Sequence, residues 1–103
     1  MLFQVQASIA PELDAAFNRW YDEVHCPEML RKTGVLTARR YRQIMGEAGF
    51  EYVAVYEFSG RSEFERFLVE DLPGLSDEYE RRWGASSLRR RTAFELISDI
   101  RVD

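Results

Sequence analysis

The segment FEYVAVYEF, residues 50–58, is apolar on both faces of an extended chain apart from Glu51 and Glu57. A strand of that kind must be covered on both sides, so it belongs in the middle of a sheet or between two layers. Every other element has to be arranged around it. LFQVQASI, residues 2–9, differs: Phe3, Val5, Ala7 and Ile9 alternate with Gln4, Gln6 and Ser8. That period of two predicts a strand with one apolar and one polar face.

Between these strands lies a helix. Pro11 suits its first turn, and Glu12 and Asp14 suit its positive end. Leu13, Phe17, Trp20 and Val24 recur at helical spacing as one apolar stripe. Pro27 lacks an amide, so the helix is expected to bend or break near Cys26, continue briefly through Met29 and Leu30, and stop at Gly34 as a left-handed cap. Residues 35–46, VLTARRYRQIMG, read as a strand with neither face cleanly apolar. After residue 58, Ser59 or Ser62 can cap a second helix, Ser62 and Glu65 fitting a capping box, with Phe64, Phe67 and Leu68 on its apolar side. Leu72-Pro73-Gly74 is expected to break it, Ser76 to cap a further short helix ending at Gly84, and residues 86–102 to form a last strand.

The resulting order, β-α-β-β-α-β, is the α+β, ferredoxin-like arrangement: a four-stranded antiparallel sheet with both main helices on one face. At 103 residues the chain, 1–103, is expected to be a single domain. Its other sheet face would be bare. With 14% aromatic residues, a bare face of this composition is expected to be covered by a second copy, packed sheet to sheet as a homodimeric barrel. Eighteen acidic against fourteen basic side chains give a net charge of −4, which argues against nucleic acid as a partner. The basic runs at Arg39-Arg40, Arg81-Arg82 and Arg89-Arg90-Arg91 fall in different elements. One cysteine allows no internal disulfide, and neither a signal peptide nor a membrane-spanning run is evident, so the expected location is cytoplasmic.

FNRWYDEVHCPEML (17–30), TGVLTARRYR (33–42) and YVAVYEF (52–58) together resemble the dimeric α/β-barrel superfamily, and are most similar to its EthD-like and related uncharacterised branches. The motif of W-Y-x-x-x-H-x-P type falls on Trp20, Tyr21, His25 and Pro27, and the A-R-R-Y-R strand on Ala38 to Arg42. Cys26 departs from the apolar residue such motifs usually carry. The resemblance implies a homodimer and, in many enzymes of the superfamily, chemistry on aromatic or lactone substrates with no metal or organic cofactor. It also makes His25 a candidate at the mouth of a cavity between the sheets. Resemblance of fold is a poor guide to reaction.

Tyr21 and His25 are four apart and share a helix face, at the edge of the apolar stripe. An imidazole titrates near neutrality, so His25 is the candidate catalytic acid/base, with Tyr21 binding substrate. The competing reading has His25 capping backbone or pairing with a carboxylate at a dimer edge. Cys26 reads as a packed, inert thiol, having no clear cationic neighbour. Tyr52 and Tyr56 share a face of the 50–58 strand and are candidates to line a cavity. Arg40 and Arg42 share a face that is therefore expected to lie away from the helices; Arg40 and Tyr41 are further substrate-binding candidates, against an ion pair of the arginines with Glu51 or Glu57. No phosphate loop, dinucleotide fingerprint, metal cluster or Ser/His/Asp triad is present, and no cofactor is expected.

Three functions fit these residues. One is a small cofactor-independent homodimeric enzyme acting by proton transfer (isomerisation, cyclisation, dehydration or decarboxylation) on an aromatic, polyketide-like or lactone substrate. The second is a non-catalytic dimer that binds a small hydrophobic ligand or is purely structural. The third is a cofactor-free quinol-type monooxygenase.

Overall fold

The computed structural model describes residues 1–102. Strand β1 spans Leu2–Ile9, and Phe3, Val5, Ala7 and Ile9 are its buried face. A 3-10 turn over Pro11–Leu13 leads into helix α1, Asp14–Trp20, then a wide π turn over Tyr21–His25, then α2, Cys26–Lys32. Gly34 follows with φ +73°, the left-handed position that favours glycine. Strands β2, Thr37–Arg42, and β3, Tyr52–Glu57, come next. Helices α3, Arg61–Glu70, and α4, Leu72–Trp83, precede β4, Ser87–Phe94.

The sheet order is β2-β3-β1-β4, with every neighbouring pair antiparallel. β3 is thus internal, as its two apolar faces require. Register places Phe3 opposite Tyr56, Val5 opposite Ala54 and Ala7 opposite Tyr52, so these six share the face beneath the helices. There they meet Phe17, Trp20, Phe64, Phe67, Tyr79 and Trp83 in one aromatic-rich core.

The first helix does not break at Pro27. The Cys26 amide donates to the Tyr21 carbonyl, a bond reaching back five residues instead of four. Pro27 then falls in the first turn of α2, where a missing amide costs little. The wide turn holds one residue more than an α turn, which resets the helical phase by about 100°. The inward stripe therefore passes from Phe17 and Trp20 to Tyr21 and His25. Val24, expected to continue it, is 40% exposed.

Four further expectations change. Ala38, Arg40 and Arg42 lie opposite Tyr56, Ala54 and Tyr52, so the arginine face of β2 is the helix face. Gly60, not a serine, precedes α3, and no side chain caps it. Leu72-Pro73 ends one helix only to begin the next: Pro73 occupies the first turn of α4, which leaves Ser76 inside that helix. The last strand is shorter than residues 86–102. Residues 95–102 have no regular structure, and Leu96, Ile97, Ile100 and Val102 are exposed.

Candidate functional site

The π turn carries Tyr21 and His25 into the core side by side. His25 is 9% exposed. Its imidazole stacks on Trp20, with centroids 4.7 Å apart and planes at 15°. Tyr21 and Tyr56 meet it edge-on at 5.1 and 6.3 Å. Among the described residues no group hydrogen-bonds to its ring nitrogens. Burial withholds water from the imidazolium and lowers the pKa to about 4; Glu28 opposes this and the Arg89 charge adds to it. At neutral pH His25 is therefore uncharged and holds a lone pair, the form that accepts a proton.

Tyr21 and Tyr56 are pushed the other way. Burial, first of all, keeps both phenols protonated far above their ordinary range, so their hydroxyls act only as neutral hydrogen-bonding groups. The Tyr56 hydroxyl lies 3.9 Å from the Cys26 sulfur. Burial also raises the Cys26 pKa, which favours the unreactive thiol.

A cavity of about 20 Å³ lies beside this group, between the helices and the sheet. That volume suits about one water. Tyr21, His25 and Tyr56 form its inner wall, and Ser76, Arg89 and Arg91 its polar side. It lies between helices and sheet within one chain, not between two sheets as expected for the histidine's cavity.

The other sequence candidates are elsewhere. Arg40 projects beneath the first helix and is held there. It donates to Asp22 Oδ1 at 2.9 Å, Asn18 Oδ1 at 2.6 Å and the Asn18 carbonyl at 3.4 Å, with its guanidinium 4.8 Å from the Tyr21 ring centroid. Its carboxylate partner is thus on the helix, not Glu51 or Glu57. The Tyr52 hydroxyl donates to the Asp14 carboxylate, so that phenol closes the helix–sheet packing and does not line the cavity. Tyr41 lies on the opposite sheet face and is 53% exposed. The structure brings Tyr21, His25 and Tyr56 to this cavity; Arg40 backs the Tyr21 ring from outside it and, with Tyr41 and Tyr52, lines a separate pocket.

Sequence reasoning missed Ser76, Arg89 and Arg91. Alternation along β4 was the available signal: Arg89 and Arg91 must share one face, whatever its surroundings. They lie opposite Ala7 and Val5, residues whose burial marks the helix side.

The family model described as a domain of unknown function, DUF4286, matches residues 1–97. No curated protein matches. Among solved structures, an EthD (ethyl tert-butyl ether D) family protein from Bacillus halodurans is 17% identical with a TM-score of 0.64, covering 92% of this chain and 100% of its own. A variant of SnoaB from Streptomyces nogalater, described as a cofactor-independent oxygenase, is 17% identical with a TM-score of 0.67, covering 96% and 95%. A Dabb family protein with a ferredoxin-like fold from Mesorhizobium loti is 12% identical with a TM-score of 0.54, covering 92% and 98%. At these identities the likeness is one of fold, and the fold is ferredoxin-like α+β. No helix of the described residues is long and apolar enough to cross a membrane.

Proposed function

The chain belongs to the DUF4286 family, whose description assigns no activity, and from the geometry around His25 we propose that it is a small proton-transfer enzyme acting on an aromatic, polyketide-like or lactone substrate. One observation carries this reading. The chain's only histidine is held uncharged in an aromatic cage, on the wall of an internal cavity, with two protonated phenols and two arginines lining the same space. Neutral His25 takes a proton from an acidified carbon or hydroxyl. Tyr21 and Tyr56 donate hydrogen bonds to the oxygen on which negative charge grows, and the preset donors need no reorganisation. The same imidazolium returns the proton elsewhere on the substrate, which gives isomerisation, cyclisation, dehydration or decarboxylation according to the leaving group. Arg40 contributes at one remove, backing the Tyr21 ring.

An imidazole with a pKa near 4 is a weak base on its own. Negative charge developing beside it raises that value as the reaction proceeds. A ring does not fit in about 20 Å³, so a substrate must part the polar side at Ser76, Arg89 and Arg91. The test is His25→Ala against a panel of aromatic and lactone substrates. General acid–base catalysis predicts a loss of about 10²–10⁴-fold in kcat. Full turnover by a folded variant removes the role.

The small cavity also favours a second reading, a non-catalytic dimer whose interior is filled by its own side chains. Oxygen consumption with quinol substrates tests the monooxygenase alternative, which the fold shared with SnoaB brings forward. All three readings share the proposal that this one-domain chain pairs sheet to sheet. Supporting it, the face away from the helices carries half-buried Val53 and Val55 and exposed Leu2, Tyr41, Leu88 and Phe94. Sedimentation of a dilute sample is expected to show a dimer; a stable monomer sinks the pairing.

A further inference from the structure

We propose that Arg89 and Arg91, converging on Ser76, form an anion subsite at the mouth of the His25 cavity, which selects substrates carrying a carboxylate beside an aromatic or unsaturated ring. The proposal rests on the reading of that cavity as the substrate site and narrows its substrate class.

Ser87, Arg89 and Arg91 lie opposite Ile9, Ala7 and Val5, three buried apolar residues of β1. A strand face beneath a helix layer is ordinarily apolar, because removing charge from water is costly unless it is paired. Arg89, its side chain only 14% exposed, needs a compensating reason to be there, and Arg91 adds a second, exposed guanidinium beside it.

Arg89 and Arg91 are the only permanently charged groups lining the cavity, and both are positive. Arg89 has one anionic partner, donating to Glu80 Oε1 at 3.0 Å, and Glu80 is outside the lining. Arg91 makes no ion pair among the described residues. Partial burial, and then the neighbouring Arg89 charge, lowers the Arg91 pKa, while Glu80 opposes the shift. A bound anion relieves that repulsion.

Nη2 of Arg89 donates to Ser76 Oγ at 3.0 Å, and Nη2 of Arg91 donates to the same oxygen at 2.9 Å. Two cationic donors from different residues thus aim at one point. A neutral hydroxyl is a modest acceptor for them, whereas a carboxylate oxygen accepts charge-assisted bonds about twice as strong. Arg89 is fixed in place by the Tyr79 ring, 3.9 Å from its guanidinium, and Tyr79 by a 2.6 Å hydrogen bond to Ser87. Arg91 is exposed, which leaves it free to close over a ligand. The ring of such a ligand would then extend inward toward His25 and Tyr56, and its carboxylate would stay at the polar end. At Arg40, by contrast, Asp22 and Asn18 already accept from the two terminal nitrogens of the guanidinium.

The probes are benzoate and its neutral counterpart benzamide, titrated into the intact protein. Binding is followed by calorimetry and by the imidazole proton resonances, which belong unambiguously to His25 because it is the only histidine. Both probes are expected to move the His25 resonances, with benzoate bound about tenfold more tightly. Arg91→Met is expected to reduce benzoate affinity to that of benzamide and leave benzamide unchanged. Arg91→Lys keeps the charge without the fork and is expected to recover only part of the difference. Equal affinity for the two probes, with benzoate binding unaffected in Arg91→Met, overturns the subsite and leaves the cavity reading intact. If neither probe moves the His25 resonances, the cavity reading falls and the subsite with it.

Discussion

The two edge strands of this sheet both send arginines beneath the helix layer, and the two edges use them differently. At the β2 edge, Arg40 reaches the flank of the first helix and spends its donors on Asn18 and Asp22, with an aromatic ring on either side. At the β4 edge, Arg89 and Arg91 share one neutral hydroxyl and one external carboxylate between them. In the first arrangement the protein itself supplies the counter-charge, Asp22, to Arg40. The second faces a cavity with an uncharged histidine on its far wall. Charge alone does not distinguish a clasp from a binding site. What distinguishes them is whether the fold itself supplies the counter-charge.

The comparison is tested most strongly through pH, because His25 lies on the β4 side and feels Arg89. Its folded pKa of about 4 is below the unfolded value near 6.5. Between those values the unfolded chain binds more protons than the folded one, so stability rises with pH. The contribution is complete above about pH 6.5 and is lost as pH falls toward 4, with a size on the order of 3 kcal/mol. Urea titrations of the wild type at pH 7 and pH 4.5 should show it, and His25→Gln should flatten the difference. An unchanged pH slope in that variant means that the imidazole is wet and the cavity open.

Arg40→Met is the next largest perturbation. It strands Asn18 and exposes one side of Tyr21, and charged hydrogen bonds of this kind are worth about 2 kcal/mol. A fall of that size in unfolding free energy, with benzoate affinity unchanged within about twofold, marks Arg40 as structural. Arg91→Met should do the reverse, leaving stability within about 0.5 kcal/mol because its side chain is exposed. If both substitutions cost stability alike, the two edges are the same device.

Both edges also explain what could and could not be read from the sequence. The alternation of Phe3, Val5, Ala7 and Ile9 and the double apolar face of residues 52–58 fixed the centre of the sheet, because central strands answer only to burial. Gly34 was legible because a left-handed cap has few chemical solutions. Edge strands answer to the helices as well. Arginine stems can pack beneath a helix while the head reaches its flank, so a rule that sends arginines to the open face fails at Arg40 and Arg42. The pattern around Leu72-Pro73-Gly74 looks like an interruption and makes Ser76 a cap; one turn of additional helix makes it instead an acceptor facing β4. The π turn was hidden for a related reason. Pro27 signals a lost amide, and only the backbone shows that the loss is absorbed by widening the previous turn. That widening selects Tyr21 and His25 over Val24 as the inward side chains.

The smallest effect separates two tyrosines on one strand face. Tyr52 is on the β2 side, with its hydroxyl donating to the Asp14 carboxylate; Tyr56 is at the cavity, with only the Cys26 sulfur 3.9 Å from its oxygen. Removing the oxygen from Tyr52 leaves a carboxylate short of a partner, so Tyr52→Phe should lower stability by about 1 kcal/mol and leave kcat unchanged. Sulfur is a weak partner, so Tyr56→Phe should be nearly neutral in stability, within about 0.5 kcal/mol. It should instead lower kcat more than KM rises, because a hydrogen bond to developing charge is strongest in the transition state. Chemical denaturation and steady-state kinetics on the two variants give the four numbers needed. If Tyr56→Phe costs stability and spares kcat, the Tyr56 hydroxyl is a packing group like that of Tyr52. His25 would then face a cavity with one donor, that of Tyr21, and the proton-transfer reading would rest on that phenol and the β4 arginines.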